Sequence, residues 1–333
     1  EGEGERQKPL QLRPALAGGG GPEGTWQERV VRSAARQNRI LVGIASYNVR
    51  RWVQQWVVSA RRAGVEELVL VALDEKLFRF AQERIGKGHV IHFDFDGLED
   101  TADGDTSHKW KSEKYLRVVT QRARMLLPIS QMGVDVLYSD VDITFFRNPF
   151  DHIQEAAGQG GGGGQCGMYI QQEQSPELGD YNCSGFIFFP FSELVAKFLK
   201  AWERDIYTMM SQRTFTGDQD ALNKLLREWK RAANRPAARH GWKQLTPCLL
   251  PANVYPSGRQ FFFHKRPGAG KKFKPCQLSS ECVDFVWEPA SEPLEAMAGA
   301  AMVHHNWAEG DEKKVARARR FGVWLDLGED TWQ

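Results

Sequence analysis

No stretch of this sequence approaches the ~18 consecutive apolar residues of a membrane-crossing helix, and the opening EGEGERQKPL is neither a signal peptide nor a transit peptide. Membrane association is therefore expected only through an anchor upstream of Glu1. An excess of charge of one sign is also missing. The 44 basic and 42 acidic residues leave +2, with the basic ones dispersed, so no nucleic-acid partner is expected and any phosphate binding must be local. The five cysteines contain no CxxC pair, which argues against a structural zinc site. Cys276 and Cys282 bracket the short segment CQLSSEC and could form a disulfide; unrelated free thiols fit the spacing equally well. There is no internal repeat.

What is present is an ordinary globular composition, 41% apolar and 26% charged over 333 residues. Residues 1–38, with AGGGGPEG at their centre, read as a flexible leader without a packed core, and residues 39–333 as the folded domain. The fold begins with a buried strand, Ile40 to Ala45, then a polar turn and a helix for which Asn48 is the expected cap. Trp52, Val53, Trp56, Val57 and Ala60 form its apolar stripe and Gly64 stops it. ELVLVALDE supplies a second strand and HVIHFDF a third, so strand, helix and strand follow at the spacing of parallel crossovers. A helix is expected over Lys111–Leu127, with Leu116, Val119, Ala123 and Leu126 inward and Lys114, Arg122 and Arg124 elsewhere. Beyond the next strand lies a Gly-rich surface insert, residues 157–166. After it come the strand GFIFFPF, a helix from Glu193 to about Met210, and TGDQDALNKLLREW.

The stretch DVLYSDVDITFFRNPF drives an apolar strand into two carboxylates, Asp140 and Asp142. In extended chain, residues i and i+2 share a face, so both can converge on one cation. Two chemistries use such a pair. Either both hold Mn²⁺ or Mg²⁺ against a diphosphate leaving group, or Asp140 is a nucleophile and Asp142 a general acid/base, since DVDIT satisfies the Asp-x-Asp-x-Thr motif of haloacid-dehalogenase-like phosphatases. Order along the chain favours the transferase: roughly a hundred residues of α/β structure precede the motif, and a nucleotide-sugar enzyme needs them. In open α/β sheets ligands sit beyond the carboxyl ends of the strands, where Ser46, Tyr47, Asn48 and Asp74 also fall.

Five segments in order, VGIASYNVRRWVQQWVVSARRAGVEELVLVALDE, DVLYSDVDITFFRNPF, GDQDALN, VYPSGRQFFF and VHHNWAEGDEKK, resemble the nucleotide-diphospho-sugar transferases of glycosyltransferase family 77, from about Ile40 to Trp324. The resemblance implies an α/β fold of GT-A type, a Rossmann-like mixed sheet flanked by helices. It further implies a divalent cation, Mn²⁺ or Mg²⁺, and retaining transfer of a pentose or hexose from a UDP-sugar or similar donor to a glycan or glycoprotein acceptor in the Golgi lumen. By position, Asp140, Asp142 and His304 match the metal site. Asp218, Gln219 and Asp220 match the acidic motif beside donor sugar and acceptor. Ser46, Tyr47, Asp74, Lys114, Asp140, Asn182, Ser184 and Lys313 are expected along the nucleotide sugar. The pattern departs at YNCSGF, where Cys183 replaces the Asn that relatives carry before Ser/Thr-Gly. The sequon Asn182-Cys183-Ser184 is read as unglycosylated, because a glycan would crowd the site.

Each residue also has a plainer reading. Asp218 and Asp220 can simply begin a helix, His304 can be a hydrogen-bonded histidine at a strand end, and Tyr47 and Asp74 can serve a turn and a cap. Lys111, Lys114, Lys313 and Lys314 can decorate solvated helix faces. Phe261, Phe262 and Phe263 are expected in the core. A non-catalytic sugar-nucleotide or glycan-binding relative is the remaining alternative. His304 and His305, as neighbours in extended chain, should point to opposite faces, so only His304 is expected at the metal.

Overall fold

The structure, a computed structural model, describes residues 25–93, 113–153, 166–173, 181–233 except 213 and 216, 246–267, 285–290, 298–307 and 310–332 except 329. Its centre is a seven-stranded sheet. Strands β1 (Arg39–Ala45), β2 (Leu68–Ala72), β3 (Val90–His92) and β4 (Asp135–Ser139) run parallel in the order β3-β2-β1-β4. Beyond β4 come β7 (Asn182–Phe189), antiparallel to both its neighbours, then β6 (Cys166–Gln172) and β8 (Thr246–Leu249). Two further strands stand apart as a pair, β5 (Ile143–Phe145) and β11 (Met302–His304), and β9 (Phe263–Pro267) pairs with β10 (Phe285–Pro289). This is the expected Rossmann-like mixed sheet.

Helices cover both faces, which is why β1 and β2 are buried along their whole length and read as continuous apolar runs. Leu41, Leu68, Leu70 and Leu137 pack on one side with Trp52, Val53, Trp56 and Val57 of α2 (Arg50–Arg62). Ile40, Val42, Val69, Val71 and Val136 face the other way, toward α4 (Glu113–Gln131), α5 (Glu193–Ser211) and α6 (Asp218–Ala233). Gly43 is dictated by contact, since a Cβ there would lie 2.9 Å from the Trp56 ring. Phe261 and Phe262, at the end of the short helix α7 (Gly258–Phe262), are buried in the core, as expected, and Phe263 is half-buried.

Four expectations change. The leader is not structureless up to residue 38: Thr25 caps a helix, α1 (Trp26–Ala34), through a capping box with Glu28, and Val30, Val31 and Ala34 bury their side chains against the sheet. Asn48 does not cap α2. It lies in a 3-10 turn over Tyr47–Val49 and accepts from Ser46 Oγ, while Val49 holds the cap position without a side-chain bond. The helix expected to end at Leu127 continues through Pro128 to Gln131. Cys166, assigned to the Gly-rich insert, instead opens β6 and forms a disulfide with Cys248 of β8; the rest of the insert, and the Cys276 and Cys282 pairing, lie outside the described residues.

The chain runs outward from β1 to β3, then returns to place β4 on the opposite side of β1. That reversal puts a topological switch point at the carboxyl ends of β1 and β4, the position where open α/β sheets bind ligands. Ser46 and Tyr47 follow one strand end and Asp140 the other.

Candidate active site

Asp140 and Asp142 do converge, although not by strand alternation. β4 ends at Ser139, and Val141 and Asp142 form a turn before β5. The turn is clamped from outside: His304 pairs with Ile143 across β5 and β11, and His305 N–H donates to the Asp142 carbonyl at 2.8 Å. His304 Nε2 thereby lies 3.3 Å from Asp142 Oδ1 and 3.7 Å from Asp140 Oδ2. One ligand atom from each of the three falls within a 4.8 Å span. Gly185 makes room for them, because a Cβ there would overlap Asp140 Oδ2 and come within 2.7 Å of His304 Cε1. Two hard carboxylate oxygens and an imidazole nitrogen fit a hard divalent cation of the Mn²⁺ or Mg²⁺ type.

Cations of the chain itself surround the carboxylates. Lys314, on α8 (Asp311–Arg320), places Nζ 2.6 Å from Asp142 Oδ2. Burial would push the Asp142 carboxyl upward, but Lys314 and His304 outweigh it and hold the group well below the usual carboxylate range. His304 shows the converse balance: burial favours the neutral ring, yet Asp142, Asp140 and Glu173 raise its pKa. Lys313, expected along the nucleotide sugar, is exposed on the same helix, and its neighbour Lys314 is the lysine that reaches the carboxylates. His305 points the opposite way, its Nε2 3.0 Å from Thr144 Oγ1 and its ring against Trp52 and Phe262. Complete burial, partly opposed by Asp142, pushes its pKa down to about 3.

The sequence reading missed the residue that joins the two acidic motifs. Arg122 is buried in α4, donating from Nη2 to Asp140 Oδ1 at 2.7 Å and from Nη1 to Ser184 Oγ at 2.6 Å and to Asp218 Oδ2. Tyr138 adds a second donor to Asp140 Oδ1, at 2.5 Å. A signal existed: Arg122 shares helical phase with Val119, Ala123 and Leu126, and an arginine on an apolar face needs an acidic partner. Burial, together with the nearby Asp140, raises the Asp218 carboxyl against the opposing pull of Arg122.

Asp218, Gln219 and Asp220 form the first turn of α6 and are fastened to the start of β7. Gln219 Oε1 accepts from Ser184 N–H at 3.0 Å, Asp220 accepts from the Tyr181 hydroxyl, and Asn223 exchanges hydrogen bonds with Asn182 backbone and side chain. Asp218 is buried, whereas Gln219 and Asp220 are half-buried. Cys183 is a buried thiol beside His304, 3.6 Å from its Nδ1. Burial, then the Glu173 and Asp140 charges, push that thiol far up.

At the β1 end, Asp74 caps α3 (Glu75–Ile85) through Leu77 N–H and also accepts Tyr47 N–H, both at 2.7 Å. It therefore fixes where Tyr47 sits. The Tyr47 ring has Arg50 and Lys76 at 4.6 and 4.3 Å from its centroid. Lys114 belongs to α4, but its side chain lies outside the described residues, as does Lys111.

The profile of nucleotide-diphospho-sugar transferases matches residues 63–318. The chain belongs to that family. The transferase is 23% identical over 315 residues to the UDP-D-xylose:L-fucose alpha-1,3-D-xylosyltransferase 3 of Arabidopsis thaliana, covering 89% of this chain and 69% of that protein. It is 30% identical over 128 residues to the beta-arabinofuranosyltransferase RAY1 of the same plant, covering 38% of this chain and 23% of that one. Mouse xyloside xylosyltransferase 1 superimposes with a TM-score of 0.39 at 13% identity over 66% of this chain and 87% of that chain, too distant a likeness to carry weight. Membership places the chain among sugar transferases and not among the phosphatases that share its DVDIT motif.

Proposed function

We propose that this transferase moves a pentose, of the xylose or arabinose kind, from a UDP-sugar to a glycan or glycoprotein, with retention and with a divalent cation, in the Golgi lumen. The observation that carries the reading is the convergence of Asp140, Asp142 and His304 at the sheet's switch point, joined through Arg122 to the acidic turn of α6. The names of the plant relatives support the pentose donor. The Cys166–Cys248 disulfide supports a secretory compartment, since cytosolic thiols are kept reduced.

Asp140, Asp142 and His304 would hold the cation, Mn²⁺ in our reading, which supplies charge neutralisation for the departing diphosphate. Lys314 adds a fixed positive charge at the same place and donates to a phosphate oxygen as negative charge accumulates there. On the opposite side, positive charge develops at the anomeric carbon as the glycosidic bond stretches. Gln219 and Asp220 are accessible enough to present an oxygen to that carbon, whereas the buried Asp218 acts through Arg122, holding it on Asp140. Tyr47, positioned by Asp74, lies where the nucleoside enters, and Asn182 lines the sugar, while the buried Ser184, expected beside it, instead holds Arg122 and Gln219 in place.

Incubation of the protein with Mn²⁺ and a panel of UDP-sugars, read as UDP release and by NMR of the first product, tests the proposal. Release from a pentose donor, giving an α-glycoside from an α-linked donor, is expected. No release with any donor would make the protein a binding relative, and a β product would refute retention.

A further inference from the structure

A histidine can ligate a cation through Nε2 only when that nitrogen carries no hydrogen, and which nitrogen carries it is set by what the other one meets. Nδ1 of His304 meets Gln171. The amide oxygen Oε1 lies 3.1 Å from Nδ1, and the amide nitrogen Nε2 donates to the Tyr255 carbonyl at 3.1 Å. Gln171 is fully buried near the end of β6, and Tyr255 is almost fully buried. A carbonyl oxygen can only accept, so the amide is locked with its NH₂ toward Tyr255 and its oxygen toward His304; the flipped amide would face two carbonyl oxygens together and turn its own donors on the ring. Faced with a fixed acceptor, Nδ1 must carry the hydrogen.

Among the described residues one other group touches Nδ1, the Cys183 sulfur at 3.6 Å. Its single hydrogen has the Glu173 carboxylate to donate to, and the sulfur accepts from Gly185 N–H at 3.4 Å. The thiol therefore does not supply the proton that would let Nδ1 act as an acceptor.

We infer that Gln171 is a positioning residue that keeps a hydrogen on Nδ1 of His304 and thereby leaves Nε2, which faces Asp142 and Asp140, as the nitrogen a cation would take in place of a proton. The inference rests on the metal-binding reading above and deepens it, because the site's donor set is complete only while Gln171 accepts. No motif marks the residue: Gln171 is 133 positions from His304, and only the packing of β6 beside β7 under the β5 and β11 pair brings them together.

Two measurements on the whole chain decide the matter. In ¹⁵N-edited NMR of the wild type, the His304 Nδ1–H should appear as a slowly exchanging resonance and should vanish or exchange fast in Gln171→Leu. Separately, the free Mn²⁺ signal in electron paramagnetic resonance gives metal affinity without turnover. Gln171→Leu should weaken it by about tenfold to about a hundredfold, the range for losing such an outer partner. Gln171→Glu keeps an acceptor and should stay within about threefold of wild type. A wild-type ring protonated at Nε2 alone, or a Leu variant that keeps both the resonance and the affinity, overturns the inference. If the wild type binds no Mn²⁺ yet shows the protected Nδ1–H, the metal reading fails while the Gln171 contact stands.

Discussion

Arg122 and Asp218 form a buried ion pair across 96 residues of sequence, and the same guanidinium reaches Asp140. Side-chain exposure is 8% for Arg122 and 3% for Asp218, so solvent does little to screen them. Removing the arginine leaves two carboxylates to repel one another in a low dielectric. Arg122→Met should therefore cost about 3–5 kcal/mol of stability, and adding Asp218→Asn should recover part of that loss. Urea unfolding of the two single variants and the double variant checks this; strict additivity would show the pair to be uncoupled.

Lys313 and Lys314 make a second, sharper comparison. The sequence favours Lys313 for the nucleotide sugar, but the phase of α8 puts Lys314 on Asp142 and Lys313 in solvent. Since a hydrogen bond to a charged group contributes about 1.5–3 kcal/mol, Lys314→Ala should lower kcat/KM for the nucleotide sugar by about tenfold to about a hundredfold. Lys313→Ala should leave it within about twofold. Equal losses in both variants would mean a diffuse field and not a placed donor.

The adjacent histidines should separate cleanly under manganese titration. His304→Ala should raise the half-saturating Mn²⁺ at least about tenfold, whereas His305→Ala should leave it nearly unchanged and lower the unfolding free energy instead, because His305 fills core space against Trp52 and Phe262. A shift on removing His305 alone would exchange their roles.

His305 also makes stability pH-dependent. With its folded pKa near about 3 and an unfolded value of about 6.5, the unfolded chain binds a proton in that window and the native chain does not. Stability must then fall as pH falls from about 6.5 toward about 3, by about 1.4 kcal/mol per unit at most for this one group. Denaturant midpoints from about pH 4 to about pH 6 should show a shallower slope in His305→Asn, by about one proton. An unchanged slope would mean that the ring is not kept neutral.

Much of this site can be read from the sequence because it is carried by short segments. The Asp140 and Asp142 pair, the acidic turn at Asp218 and the histidine of VHHNW each sit at the end of an element whose apolar pattern is plain. Local signals also went unused: Thr25 and Glu28 spell a capping box inside the supposed leader, and Arg122 stands on an inward helical face. Lys314 and Gln171 belong to a different category. Choosing between neighbouring lysines requires the rotation of α8 about its axis, and the Gln171 partner depends on a strand order with crossovers, which no local pattern encodes. Strand alternation does not account for the convergence of the aspartates, since a turn and not a strand face brings them together.

The segment after β11 has one more consequence. Arg317 of α8 donates to the carbonyls of His305, Asn306 and Trp307, three in succession, at 3.1, 2.7 and 3.1 Å. This guanidinium splints the helix to the backbone that carries His304, so the two are bonded into one piece. Lys314 rides on that piece. If a diphosphate binds there, as proposed, Lys314 would change partners from carboxylate to phosphate by swinging its own four-carbon arm, one side chain turning on a helix that stays bonded to the His304 segment.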